Sequence, residues 1–359
     1  MKRSELARTV GPDLSRRRST PRFLVAPDAF KGTLSAAEVA RAIARGVRAA
    51  GGEADECPVA DGGEGTIAVL LEALGGEERG AACHDPLGRP IEARWAWLAA
   101  SRKALVEMAR ASGLALVSPA ERDAEAASSA GTGELLLAAR DAGAVEAILA
   151  IGGTATSDGG AGALSAIEQA GGLGSMRLVL ACDVRTPFEA AAEVFGPQKG
   201  ASPAAVQRLT ERLNTIAAEL PRDPRGIALT GAGGGLAGAL WAAHGAVLRG
   251  GASFVLDALA FDRRVALSDA VVAGEGRLDA QTRDGKIVGE ILARADSRPV
   301  HAIVGSVAGE GTLREWAELA SLRVAGTITE LEAAGADLLA GASAEPLSDR
   351  GSAPMTDQP

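Results

Sequence analysis

Lysine is scarce in this chain, and where it occurs it keeps chemical company. Only 5 of the 37 basic residues are lysines, and three of them touch a glycine: Lys31 in Asp28-Ala-Phe-Lys-Gly32, Lys199 in Pro197-Gln-Lys-Gly200 and Lys286 in Asp284-Gly-Lys286. An ε-ammonium is a compact, mobile point charge rather than a planar fork, so glycine-flanked lysines in an arginine-dominated chain mark points where phosphate or a small anion can be held. Carboxylates recur in similar settings. Ala60-Asp-Gly-Gly-Glu-Gly-Thr66 places Asp61 and Glu64 among three glycines, where the backbone can approach a ligand and an acid can take a proton or carry Mg²⁺. Gly274-Glu-Gly-Arg-Leu-Asp279 brings Glu275, Arg277 and Asp279 close to Lys286. Mg²⁺ takes one or two carboxylates plus phosphate oxygens, while Lys or Arg neutralises charge on a transferred phosphoryl group. In Gly152-Gly-Thr-Ala-Thr-Ser-Asp-Gly-Gly160, the glycines Gly152, Gly153, Gly159 and Gly160 surround Thr154 and Asp158. Exposed N–H groups and the dipole of a following helix make such a run a natural phosphate cradle. Each pattern also has a plainer reading, as a tight turn, a helix cap or a solvated charged loop.

Two other chemistries must be weighed. Gly233, Gly235 and Gly238 match G-x-G-x-x-G, with Asp257 at about the right distance downstream for a dinucleotide-dependent oxidoreductase. Against this, the motif comes late, no clear second strand ends in that acid, and glycine makes up 46 of the 359 residues, so the match is cheap. A G-x-x-x-x-G-K-[ST] motif is absent, because Gly285-Lys286 is followed by Ile287. His84, His244 and His301 lack metal-ligand spacing, and His301 sits in an apolar run that suits packing.

The elements that must position these residues read as α/β. Short apolar runs end in glycine or acid: Phe23–Pro27, Ala147–Gly152, Leu178–Cys182, Ala270–Gly274 and Val300–Gly305. Buried parallel strands look like this, and ligands gather at their carboxyl ends. With 3% aromatics and no tyrosine, the cores must be filled by Ala, Val, Leu and Ile. After Asp28-Ala-Phe-Lys-Gly-Thr-Leu-Ser35, Ser35 and Glu38 have the spacing of a capping box for a helix over 36–50. The stretch Ala81–Met108 differs: Ile91–Trp97 alternates apolar and polar, and Asp85–Pro90 is a turn, as in a meander. At 359 residues the chain exceeds one comfortable core. The expectation is an unordered leader over 1–21, one domain from 22–75 plus 261–341, an inserted α/β domain with a mixed sheet over 76–260, and an unordered tail over 342–359.

A formal charge of −9 argues against a nucleic-acid surface. No apolar run approaches the roughly 18 residues that span a membrane. Cys57, Cys83 and Cys182 are scattered without CxxC spacing, which fits a reducing, cytoplasmic setting.

Taken together, Pro27–Gly32, Ala60–Thr66, Asp85–Arg89, Gly131-Thr-Gly-Glu-Leu135, Gly152–Gly162, Phe195-Gly-Pro-Gln-Lys-Gly-Ala201 and Gly274–Lys286 closely resemble the bacterial glycerate kinase family, in order, over about residues 22 to 330. The resemblance implies a flavodoxin-like parallel-sheet domain interrupted by a second α/β domain, with substrate in the cleft. It implies ATP-dependent phosphorylation of D-glycerate, usually at the 2-hydroxyl to give 2-phosphoglycerate, with Mg²⁺. On this reading Asp28, Lys31, Asp61, Arg277 and Lys286 are the expected catalytic set. Gly152, Gly153, Thr154, Asp158, Gly159 and Gly160 hold nucleotide phosphates, Glu64, Lys199 and Asp279 contact substrate, and Glu275 and Asp183 carry the metal; a homodimer stays open.

One departure stands out. From Gly171 to Met176 the chain passes almost directly into the next strand, where such kinases carry a longer segment, and Asp183-Val-Arg-Thr-Pro-Phe188 replaces an Asp-Val-Asn-Pro-Leu-Gly-like run. The shortening is either a trimmed surface excursion or a loss of cleft wall, so a non-catalytic metabolite-binding relative remains a third class.

Overall fold

The computed structural model describes residues 20–278, 287–308 and 316–340. Eleven strands are present among them: β1 Arg22–Pro27, β2 Glu53–Glu56, β3 Glu77–His84, β4 Pro90–Leu98, β5 Lys103–Glu107, β6 Glu146–Ile151, β7 Arg177–Cys182, β8 Val247–Gly250, β9 Ala270–Glu275, β10 Val300–Val304 and β11 Ser321–Val324. They form two sheets. One has the order β11-β10-β9-β1-β2 with every pairing parallel. Numbered along its own chain this is 2-1-3-4-5, the flavodoxin-like order, whose ligand crevice lies where the order reverses, between β1 and β9. The other sheet has the order β3-β4-β5-β6-β7-β8 and is mixed: β3, β4 and β5 pair antiparallel, and β5 through β8 pair parallel. All of its strands lie between residues 77 and 250, flanked on either side by the strands of the first sheet.

The residue pattern explains the split. Every residue of β9 is buried, as are five of six in β1 and β6, because helices cover both faces. The meander strand β4 alternates exposed and buried at its start and becomes wholly buried from Trp95 to Leu98. The helices Thr66–Leu74 and Gly251–Ala258 sit between the sheets. One core cluster runs through them from Leu24 and Ala273 of the first sheet to Leu105 and Ile148 of the second. The two sheets therefore share one apolar core behind the cleft, a continuity not expected from the chain's division into two units.

On the outer face of the first sheet, helices Ala36–Ala49 and Ile328–Ala340 cross at glycines. A methyl on Gly46 would lie 1.9 Å from Glu332 O, and one on Gly335 would lie 2.3 Å from Ile43 O. The capping box at the start of Ala36–Ala49 is formed: Glu38 N donates to Ser35 Oγ at 3.3 Å, and Ser35 N donates to Glu38 Oε2 at 2.8 Å.

One rival reading fails against the backbone. No strand precedes Gly233: residues 226–231 are turn and irregular backbone, and Ala232–Gly235 is a 3₁₀ turn in which Gly233, Gly234 and Gly235 all have positive φ. Asp257 does not end a strand either. It lies within Gly251–Ala258, paired with Arg249 at 2.6 Å and Arg294 at 2.7 Å. The strand–turn–helix context that gives G-x-G-x-x-G its meaning is missing, so the dinucleotide reading falls. The short stretch 171–176 enters β7 at its amino end, where Arg177 pairs with Glu146. The cleft lies at the other end, about 20 Å away for a strand of this length. The junction where the chain is short thus lies at the edge of the sheet opposite the cleft. Among the described residues no helix is long and apolar enough to cross a membrane. The expected leader and tail fall almost wholly outside the described residues.

Candidate active site

The carboxyl ends of five strands or strand extensions converge between the sheets. Asp28 and Lys31 follow β1. The backbone after β2 continues alongside β1, with Cys57 N donating to Val25 O at 2.8 Å and Val59 N to Pro27 O at 3.0 Å, and delivers Asp61 to Gly65. Glu275 ends β9, Gly152 follows β6 and Asp183 follows β7. The loops meet at glycines. Gly62, with φ 95°, packs so closely that an added methyl would lie 2.5 Å from Gly251 Cα. A methyl on Gly152 would lie 2.7 Å from Gly63 Cα and 2.5 Å from Asp183 Oδ2; one on Gly63 would be 3.0 Å from Asp61 Oδ1 and 3.7 Å from Asp183 Oδ2. Glycine at 63 and 152 is what allows acids from the two sheets to stand side by side.

A cavity of about 470 Å³ opens at the β1/β9 crevice, lined by Asp28, Lys31, Asp61, Glu275, Arg277 and Ser306 among others. Lys31 Nζ is 3.6 Å from Asp61 Oδ2; the lysine side chain is 67% exposed and the aspartate 9%. Asp61's charge and, less strongly, those of Asp28 and Asp183 hold the Lys31 amine above its ordinary pKa, against a lowering by burial. Asp28 is buried, with Ala29 N donating to its Oδ1 at 2.6 Å. Burial first, then the charge of Asp61, pushes its pKa well above the usual carboxylate range. Burial and then Asp61 likewise raise Asp183 to about 7. Among the described residues several acids crowd around the exposed Lys31 ammonium, a setting in which a carboxyl can change protonation near neutrality and a cation is welcome.

On the other side of the junction lies a cavity of about 760 Å³, lined by Gly152, Gly153, Thr154, Asp183, Phe195 and Lys199 among others. Lys199 is only 3% exposed. Its Nζ donates to Thr156 O at 2.5 Å and to Thr154 Oγ1 at 3.4 Å, and it stands 5.9 Å from the centre of the Phe195 ring. Burial lowers its pKa to about 8, partly countered by Asp158 and Asp183.

The expected cradle divides in two. Gly152, Gly153 and Thr154 line the larger cavity. Asp158, Gly159 and Gly160 turn inward. Asp158 Oδ2 accepts from Ser129 N and Ser129 Oγ at 2.8 Å each and from Gly162 N at 3.1 Å, while Oδ1 accepts from Gly160 N at 3.1 Å. Gly159 packs on Leu213 and Ile216, and Gly160 on Leu236 and Ala239. Asp158 thus ties the loop to the start of the helix Ala130–Asp141, its oxygens occupied by protein donors. Glu64 is exposed and borders a third cavity, of about 410 Å³, that shares Lys31. Glu275 and Asp183 border different cavities, and among the described residues no group of three acidic, His or Cys side chains is placed to hold a metal ion by itself. Asp279 and Lys286 lie outside the described residues.

Other motif residues prove to be scaffolding. Asp85 closes its own turn, its Oδ1 accepting from Leu87 N and Arg89 N at 2.9 Å each. Glu134 of Gly131–Leu135 accepts from His84 N at 2.7 Å. Sequence reasoning missed Ser306 and Gly326, which border the 470 Å³ cavity beyond β10 and β11; for Ser306 its position just after the apolar run Val300–Gly305 was the available signal.

Known proteins resemble the chain over most of its length. A model of the glycerate kinase family matches residues 23–171 and 169–344, breaking at the point where the chain is short. Glycerate 2-kinase of Escherichia coli (strain K12) is 37% identical over 325 residues, 80% of this chain and 85% of that protein. Glycerate kinase of Bacillus subtilis (strain 168) is 38% identical over 328 residues, covering 80% and 85%. A crystal structure described as "putative glycerate kinase 2 from Salmonella typhimurium LT2" superposes with a TM-score of 0.76 and 34% identity, covering 90% of this chain and 99% of that one. With the flavodoxin-like order, the acid-and-lysine junction and these likenesses together, the chain belongs to the glycerate kinase family.

Proposed function

We propose that the enzyme transfers the γ-phosphoryl group of ATP to the 2-hydroxyl of D-glycerate, giving 2-phosphoglycerate and ADP, at the junction of Asp61, Lys31 and Asp183. The observation that carries this reading is that the two sheets present separate cavities on either side of one cluster of acids and lysines. The larger cavity, with Gly152–Thr154 and Lys199, suits the bulky nucleotide. The smaller, with Lys31 and Arg277, suits the short glycerate carboxylate. Attack is in line: the glycerate oxygen bonds to the γ-phosphorus, the bond to the β–γ bridging oxygen breaks, and the hydroxyl proton passes to Asp61. Catalysis of this kind comes mainly from positioning and charge neutralisation. Lys31 and Lys199, approaching from opposite sides, neutralise the transferring group; Lys286 and Asp279 stay assigned to phosphate and substrate by the sequence motif alone.

Mg²⁺ fits the donor set. Asp61 and Asp183 hold their oxygens around Gly63, and the charge of Asp61 raises the cost of ionising Asp183, a repulsion that a divalent ion would relieve. These two carboxylates would hold it together with phosphate oxygens, and it would supply charge neutralisation. We further propose that the two sheets correspond to two domains divided near residues 75/76 and 260/261.

The test is product analysis by ³¹P and ¹³C NMR after incubation with ATP, Mg²⁺ and D-glycerate. Phosphate on C2 supports the reading; phosphate on C3, or no ADP release, sinks it.

A further inference from the structure

Glu107 lies outside the three cavities described above, yet it is held from both sides at the join between the sheets. It ends β5 of the second sheet and is 3% exposed. Its Oε1 accepts from Ile67 N at 2.8 Å, in the first turn of the helix Thr66–Leu74 that immediately follows the Asp61–Gly65 loop. That helix has no cap of its own: Gly65 at the capping position is left-handed and carries no side chain to accept a bond. The cap arrives from 40 residues away, across the sheets. Glu107 is itself fixed, because Arg110 Nε donates to its Oε2 at 3.0 Å while Arg110 Nη1 donates to Glu78 at 2.7 Å and Arg94 donates to the same Glu78 at 2.9 Å. The line Glu107–Arg110–Glu78–Arg94 therefore anchors the cap to β3, β4 and β5.

From this geometry we infer that Glu107 is a positioning residue for phosphoryl transfer: by capping the Thr66–Leu74 helix from the second sheet, it sets where the Asp61–Gly65 loop stands against Gly152 and Asp183. The inference rests on the reading that Asp61 belongs to the transfer site. Gly63 and Gly152 already touch, so a loop whose helix start frays has no room to shift towards Gly152 and must move away from it, parting Asp61 from Asp183. A displacement of about 1 Å in a positioned reactant can lower turnover on the order of a hundredfold.

Reach and charge can be separated at this position. Glu107→Gln keeps a carbonyl acceptor for Ile67 N at the same distance but loses the charge and turns an amide N–H towards Arg110 Nε, so the cap is kept and the anchor given up; Glu107→Asp keeps the charge and withdraws the acceptor by one methylene. Both are conservative enough to be compared as folded proteins, with thermal melts recorded alongside. The expected result is that Glu107→Asp loses at least about tenfold in kcat with the nucleotide Kd unchanged, while Glu107→Gln stays within about threefold of wild type. The inference is overturned if both variants turn over like wild type with only lowered melting temperatures, or if Glu107→Gln loses as much kcat as Glu107→Asp. Asp61→Asn, assayed in parallel, keeps the two ideas apart. Full activity there removes Asp61 from the site, whereas an inactive Asp61→Asn beside a fully active Glu107→Asp removes only Glu107.

Discussion

Lys199→Met separates what a buried amine costs the fold from what it gives the reaction. The wild-type side chain is 3% exposed, and burial takes its pKa from 10.5 to about 8. At about 1.4 kcal/mol per unit, that shift corresponds to roughly 3 kcal/mol against the charged form at neutral pH. Methionine fills a similar volume without charge, but it strands Thr156 O, which accepts from Nζ at 2.5 Å. Leaving a buried acceptor short of a partner costs about 1–2 kcal/mol. The variant should therefore be more stable than wild type by about 1–2 kcal/mol at pH 7, while kcat falls at least about a hundredfold through loss of a charge facing the transferring group. The sign with pH follows. Below pH 8 folded and unfolded chains both hold the proton and the wild-type penalty is present in full. Between about 8 and 10.5 the unfolded chain keeps a proton that the folded chain has shed, so wild-type stability rises and the gap to the variant closes. Urea unfolding at pH 7 and pH 10, with a coupled ADP-release assay, reads both quantities. A variant less stable than wild type at pH 7, or one with normal turnover, would refute the reasoning.

Three further outcomes are expected. Asp158→Ala, which strips partners from Ser129, Gly160 and Gly162, should lower unfolding free energy by about 3–5 kcal/mol; unchanged stability with weakened nucleotide binding would instead return Asp158 to the phosphate site. Gly152→Ala forces a methyl to within 2.7 Å of Gly63 Cα, so kcat should drop at least about tenfold with a stability loss of about 1–3 kcal/mol, as read by steady-state kinetics and urea melts. Asp183 has a folded pKa raised to about 7 from 3.8, so the folded chain keeps a proton that the unfolded chain loses across that window, and stability should fall as pH rises through it. In Asp183→Asn that part of the fall should be absent from melts between pH 4 and pH 7.

Much of the architecture could be read from residue order, because buried parallel strands announce themselves as apolar runs ending in glycine or acid. Phe23–Pro27, Ala147–Gly152 and Ala270–Gly274 all became strands whose carboxyl ends meet at the cleft. What spacing could not reveal is direction. Asp158 and Asp61 sit in similar glycine-rich runs, yet one is consumed by Ser129 and the backbone while the other faces a cavity. Which partner wins is a long-range matter, decided by how the helix Ala130–Asp141 is docked. Glu107 escaped notice for the same reason: a helix cap supplied from another sheet leaves no local signature. The three consecutive glycines at 233–235 raised a rival reading that the backbone then removed, since left-handed turn geometry and a dinucleotide loop draw on the same residue.

The central claim is that transfer takes place where the Asp61 loop meets Gly152 and Asp183. A crystal structure with a non-hydrolysable ATP analogue, Mg²⁺ and D-glycerate tests it most directly. The account predicts the γ-phosphate at that junction, within reach of Lys31 and Lys199, with the glycerate 2-hydroxyl directed at Asp61. A nucleotide and glycerate bound together away from Asp61, Gly152 and Asp183 would contradict it.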